Sequence, residues 1–250
     1  MSRLIAALLI LSSTAFSQEA LEIMQEVQKR SRAGSQHYEG TLKVIDSKRK
    51  ITQKQWVYER VGSHGESKAI LRFTAPPEVR GVALLIVNHP ERSSDQWMWT
   101  PSIARERRIA IQNRSTRFFG TDFSFEDLEE RDVNQFDYEL LGEEPCEGGA
   151  CWKLEGRPKE SKSSQYTHSL LWVRKDNYVI QRIESYNRSK LVRRLEYDDI
   201  EKVQGIWSAR KIDVYDTGRD SHTILTLEQL QYNVPLDPQD FTLQALRRQS

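Results

Sequence analysis

The chain has 250 residues, with 37 Lys and Arg against 36 Asp and Glu, for a formal net charge of +1 at pH 7. So even a balance offers little counterion release to drive nucleic-acid binding and no global pull toward an anionic membrane. Two cysteines and five scattered histidines form no zinc-type or triad-type spacing, so no metal, cofactor or catalytic group is expected.

Residues 1–17 read MSRLIAALLILSSTAFS: one early charge at Arg3, an apolar run from Leu4 to Leu11, then small residues ending in Ala15 and Ser17. This is the pattern of a secretory signal peptide, with an apolar core about half as long as a membrane span. No cysteine follows it, so the mature chain is read as unlipidated, exported to the periplasm and monomeric, without a permanent membrane anchor. Cutting near Gln18 removes Arg3 and leaves 36 basic against 36 acidic residues. Residues 18–250, about 230 in number, are read as one domain.

QEALEIMQEVQKRSRAG then predicts an amphipathic helix. Leu21, Met24 and Val27, with Ile23 beside them, recur at helical spacing, and Gly34 supplies the stop. From His37 the pattern becomes β. HYEGTLKVID, ITQKQWVYER, SKAILRFTA, GVALLIVN, QWMWT and RERRIAI read as six strands. After a gap come DYELLGE, CWKLEGR, HSLLWVRKD, YVIQRIESYN, KLVRRLEYDDIEKV, IWSARKIDVYD and HTILTLEQLQYN. Short turns such as KDN, NRS, VQG and DTGRD separate the later strands, which argues for an antiparallel meander. GVALLIV is apolar on both faces and should be covered on both, with the N-terminal helix as the expected cover. In SKAILRFTA, Ala69, Leu71 and Phe73 alternate with Lys68 and Arg72, so one face of the sheet should be dry and the other wet. A sheet this wide must curl, and its dry concave side needs a cover.

Cys146 and Cys151 enclose Glu-Gly-Gly-Ala between strand-like flanks. In an oxidising compartment that spacing reads as a disulfide across a hairpin tip.

The gap, roughly residues 112–136, contains RFFGTDFSFEDL. Phe118, Phe119, Phe123 and Phe125 have no regular strand to occupy. They are read as the apolar underside of a lid resting in the curled sheet, with Gly120 supplying flexible backbone and Asp122 or Ser124 capping a short turn. Leu71, Phe73, Trp97 and Trp99 are the other candidates for lining a lipid pocket. Trp97 and Trp99 should share one face and Met98 take the other. Arg105, Arg107 and Arg108, with Arg114 and Arg117 shortly after, form the strongest local charge. They are candidates for contact with lipid head groups or a partner surface.

WTPSIARERRIA followed by RFFGTDFSFEDL resembles the central signature of the outer-membrane lipoprotein-sorting proteins, the LolA-like periplasmic carriers. Its parts are a "TP" turn, a basic strand, then Phe, Gly, Thr, Asp, Phe, an acidic residue and Leu. EYDDIEKVQGIWSARKIDVYD through HTILTLEQLQYNVPLDPQDFT is similar to the family's C-terminal half. The likeness runs over about residues 20–247. Greater length, the cysteine-linked hairpin and the extended aromatic segment place the chain nearer a divergent branch than the founding carriers. The resemblance implies a mainly β fold, an unclosed antiparallel half-barrel with helices over its opening. It implies a non-enzymatic carrier that shelters acyl chains of lipoproteins or other lipids on the way to the outer membrane. The alternative is a periplasmic adaptor or sensor working with an inner-membrane lipid exporter or an envelope-stress regulator.

Overall fold

Alternation decides the architecture. In a strand, successive side chains point to opposite faces, and here the even-numbered apolar residues of the first strands fall on one side. Leu42, Trp56, Leu84 and Ile86, together with odd-numbered Leu71 and Phe73, which pair opposite even-numbered Tyr58 and Trp56, all enter one core. The computed structural model describes residues 17–248, so the signal-peptide reading lies outside the described residues.

Thirteen strands form a single antiparallel sheet. The first run comprises β1 (Ser35–Ile45), β2 (Ile51–Ser63), β3 (Glu66–Ala75), β4 (Ala83–Val87), β5 (Asp95–Thr100) and β6 (Arg105–Arg108). The second opens with β7 (Phe136–Cys146), β8 (Gly149–Pro158), β9 (His168–Arg174) and β10 (Ile180–Asn187). It closes with β11 (Lys190–Val203), β12 (Ile206–Asp216) and β13 (Ser221–Tyr232). Each run is a meander, and the two join where β1 pairs with β13. That places β6 and β7 at opposite free edges, so the sheet is an unclosed half-barrel. The connection from β6 to β7 is the one link between sequential strands of the sheet that must cross its whole width.

The concave face has two covers. Helix α1 (residues 17–30) lays Ala20, Ile23 and Met24 on Phe136, Tyr138, Leu154, Leu171 and Val173 of β7–β9. It ends at Arg30, before Gly34, and the Ser31 hydroxyl donates back to the Val27 carbonyl. The crossing segment covers the rest. Gly40 in β1 is required by this packing, because a Cβ there would lie 2.2 Å from Nε1 of the buried Trp56.

Two expectations need correction. Strand β4 is covered on both faces, but α1 lies at the far end of the sheet. The outer cover is the C-terminal segment, whose Leu236, Phe241 and Leu246, the last in α2 (Leu243–Leu246), pack on Ile70, Ala83 and Leu85. Trp97 and Trp99 do share a face, but it is this convex one, while Met98 points into the concave core. The register of β5 fixes that: Met98 lies opposite concave Leu84, and Trp97 opposite convex Leu85. The Cys146–Cys151 disulfide is present at the β7–β8 hairpin, with Cα atoms 5.8 Å apart.

Candidate functional site

The site is built where the crossing segment meets the concave face. Residues 117–124 fold back on themselves: Arg117 bridges Ser124, and the Phe118 N–H donates to the Phe123 carbonyl at 2.8 Å. The reversal needs left-handed backbone at Phe119 (φ 44°) and Gly120 (φ 75°). Glycine takes this conformation without steric cost. Phe118, Phe123 and Phe125 are buried, with Phe119 half-buried. The Phe118 ring stacks on Phe73 at 5.3 Å and meets Phe125 edge-on at 5.5 Å, while Phe123 lies 6.0 Å from Trp56. Leu71 belongs to the same cluster. Six of the eight apolar candidates, Leu71, Phe73 and the four phenylalanines of the segment, therefore meet in one place. Trp97 and Trp99 lie across the sheet from them.

Below the rings runs an acidic stretch, and each of its first carboxylates is held by a neighbour on another element. Asp122 is fully buried and accepts from Arg117 at 2.7 Å, from the Thr223 hydroxyl at 2.7 Å, and from Ser221. Arg193 donates to the Asp122 carbonyl and forms ion pairs with Asp127 at 3.3 Å and Asp216 at 3.1 Å. Tyr166 donates to the other Asp127 oxygen at 2.7 Å. Ser124 caps the next turn, accepting from the Asp127 N–H at 3.2 Å, so of the two expected capping residues Asp122 instead anchors the segment to β13. Glu126 accepts from Ser164 and from the Gln165 N–H. Glu129 is shared by Arg114 at 3.0 Å and Lys162 at 2.7 Å. Glu130 accepts from the His64 N–H and the Ser67 hydroxyl, with Arg60 at 3.4 Å.

Burial shapes the titration of this network. It pushes the Glu126 carboxyl up, against the pull of its hydrogen bonds from Ser164 and Gln165. For Arg193, burial opposes the cation, but Asp127, Tyr166 and Asp216 outweigh it and raise its pKa. Burial lowers His64, with Glu130 pulling the other way. Tyr197, deep in the concave face, is pushed up to about 12 by burial.

Two partly open cavities lie beside the anchored segment. One, about 110 Å³, is walled by Glu126, Lys162, Tyr166, Ser169, Leu195 and Tyr197. The other, about 150 Å³, lies beneath α1 among Met24, Val27, Val133, Tyr138 and Ile180. Glu130 and Arg131 line both.

The arginine group divides. Arg105, Arg107 and Arg108 are exposed along edge strand β6, and Arg108 pairs with Asp95. Arg114 and Arg117 point inward and are occupied by Glu129 and Asp122. The five arginines therefore do not form one patch. Sequence reasoning passed over Arg60 and Arg193, although alternation carries a signal for both. Arg60 falls in phase with Trp56 and Tyr58, and Arg193 in phase with Leu195 and Tyr197, so each places a charge on the apolar side of its strand.

A family model described as "Uncharacterized protein" matches residues 65–248. No curated protein matches the chain. Among solved structures, the chain is similar to a domain named for outer membrane lipoprotein sorting from Vibrio parahaemolyticus. The identity is 24%, the TM-score is 0.88, and the match covers 93% of this chain and 100% of that one. A DUF1329 family protein from Desulfovibrio piger is 26% identical, with a TM-score of 0.88 and 92% and 99% of the two chains covered. A LolA superfamily protein from Nitrosomonas europaea is 20% identical, with a TM-score of 0.71 and 88% and 98% covered.

Proposed function

The chain belongs to the family whose model spans residues 65–248 and has the LolA-like fold; from that premise we propose that it is a periplasmic carrier, binding acyl chains of lipoproteins or other lipids for transfer toward the outer membrane. The observation that carries this reading is how the concave face is covered. Its apolar floor of Trp56, Leu71, Phe73 and Leu84 is capped by phenylalanine rings from a segment lying outside the sheet. A concave apolar floor under an apolar cap contributed by a non-strand segment is suited to exchanging one apolar cover for another.

The exchange has workable energetics. An acyl chain gains about 0.8 kcal/mol for each methylene it buries. Displacing the rings loses contacts of similar size, so the two terms offset and release at an acceptor membrane or partner remains possible. The names of the structural relatives, one for lipoprotein sorting and one for the LolA superfamily, support the same direction. Binding and release would be physical, with no covalent step.

The test is to purify the protein from cells with intact lipid export and identify bound lipid by native and denaturing mass spectrometry. A fluorescent fatty-acid displacement titration on the delipidated protein accompanies it. Stoichiometric acyl lipid and saturable displacement are expected. Protein that is consistently empty and fails to bind the fluorescent acid would refute the carrier reading.

A further inference from the structure

Four cations near the two cavities are matched by carboxylates: Arg60 by Glu130, Arg114 and Lys162 by Glu129, and Arg193 by Asp127. Arg131, in the middle of them, has no carboxylate partner among the described residues. Its guanidinium makes one long hydrogen bond, from Nε to the Tyr138 hydroxyl at 3.4 Å. The Nη2 atom is buried with no hydrogen-bond partner. Its Cζ lies over the Phe136 ring, 3.9 Å from the centroid, and the group sits by Gly156, where a Cβ would come within 2.8 Å of Nη2. Ring and glycine together fix the cation at the wall common to both cavities.

The cavities differ in character. The one beneath α1 has Met24, Val27, Val133 and Ile180 in its wall, whereas the other sets the paired Ser169 and Ser185 hydroxyls, Tyr166 and Lys162 beside Ile183 and Leu195. Glu126, Asp127, Glu129 and Glu130 also face the polar cavity, but each already accepts hydrogen bonds from its own partners. Arg131 is half-buried, but its Nη2 is buried and unpaired. Leaving such a donor unsatisfied on a cation without a counter-charge is costly, and an incoming anion that satisfies its free N–H groups relieves that cost.

We propose that Arg131 is a head-group site for a single-chain amphiphile with an anionic head, a carboxylate or a phosphate. The head lies on the guanidinium in the polar cavity and the tail runs under α1. This deepens the carrier reading and rests on it, since it assigns an end to the ligand that the carrier would hold.

The experiment compares laurate, lauryl phosphate and lauryl alcohol by calorimetric titration of the delipidated full-length mature protein. Charge-assisted hydrogen bonds predict that one or both anions bind roughly 10-fold or more tightly than the alcohol. The tighter anion identifies the head as carboxylate or phosphate. In Arg131→Met, which keeps a side chain stacked on Phe136, the anions and the alcohol should bind alike, while Arg131→Lys should retain part of the preference. The wild-type comparison stands even if a variant fails to fold. Equal wild-type affinity for all three, or an undiminished preference in folded Arg131→Met, would overturn the head-group site and leave the carrier reading intact. Failure of all three to bind would overturn both.

Discussion

Phe118 is fully buried, stacked on Phe73 and in contact with Phe119 and Phe125 at ring separations of 5.3, 5.4 and 5.5 Å. Phe118→Ala removes that ring, and such truncations typically cost about 3–5 kcal/mol. For a domain of this size each kcal/mol lowers Tm by about 2–4 °C, so a fall of about 6–20 °C is expected. If the ring occupies space an acyl chain would otherwise take, the void also removes a competitor. Four or five methylenes in its place would gain about 3–4 kcal/mol. Acyl affinity should then rise at least about 10-fold, and laurate should restore much of the lost Tm. Phe241→Ala is the control, since Phe241 is equally buried but packs on the convex face beneath the C-terminal segment. Differential scanning fluorimetry with and without laurate, alongside fluorescent acid displacement, reads both effects. If Phe118→Ala and Phe241→Ala both melt early and neither gains affinity, the phenylalanine segment is ordinary core and the exchange argument fails.

Arg193→Met should cost about 3–5 kcal/mol in urea denaturation, because it leaves Asp127 and the Asp122 carbonyl without their buried cation. Arg105→Gln on the exposed edge should move the midpoint by no more than about 0.5 kcal/mol. Glu126 has a raised pKa because it is buried, so the native state holds its proton more tightly than the unfolded chain does. Its contribution to stability is full below the ordinary glutamate range and is lost as pH climbs through the raised value. Glu126→Gln should therefore gain stability relative to wild type as pH rises above the ordinary glutamate range, and a difference that stays flat with pH would contradict the assignment. Replacing Cys146 and Cys151 by serine opens a loop of sequence separation 5 and should cost about 2 kcal/mol without altering acyl binding.

The strands were legible because each carries its own evidence. Alternation in SKAILRFTA and the punctuation of KDN, NRS and DTGRD are local, and local signals survive without knowledge of the fold. Two-sided burial of Ala83–Val87 was legible too, but which element covered it was not. α1 and the C-terminal segment are both amphipathic, and neither pattern names its partner. Trp97 and Trp99 illustrate the same limit. Their shared face follows from alternation, but concave or convex depends on the register against β4. The anchors were hidden most deeply. Arg193 meets Asp122 across 71 positions and Lys162 meets Glu129 across 33, and composition records nothing of such distances. The remaining clue was an arginine in the apolar phase of a strand, which alternation flags as misplaced without saying what it pairs with.

The position of the phenylalanine segment follows from topology. Thirteen strands spaced at about 4.8 Å would separate the free edges by roughly 58 Å if the sheet lay flat. The 27 residues between Arg108 and Phe136 would reach roughly 89–97 Å if fully extended, well beyond that width. They do not run straight: residues 117–124 double back, and short 3₁₀ turns occupy Ile111–Asn113 and Val133–Gln135. Those reversals and turns take up the surplus length, so the connection lies close against the sheet while passing from one edge to the other. A chain that joins opposite free edges must cross one face of the sheet, and here it crosses the hollow one. A tethered segment competes with any incoming chain at an effective concentration set by the tether. Acyl affinity should accordingly depend less on the apolar floor than on how firmly Asp122, Asp127, Glu129 and Glu130 hold the segment down. A variant that loosens one of those anchors without unfolding the sheet should bind lipid more tightly and release it more slowly.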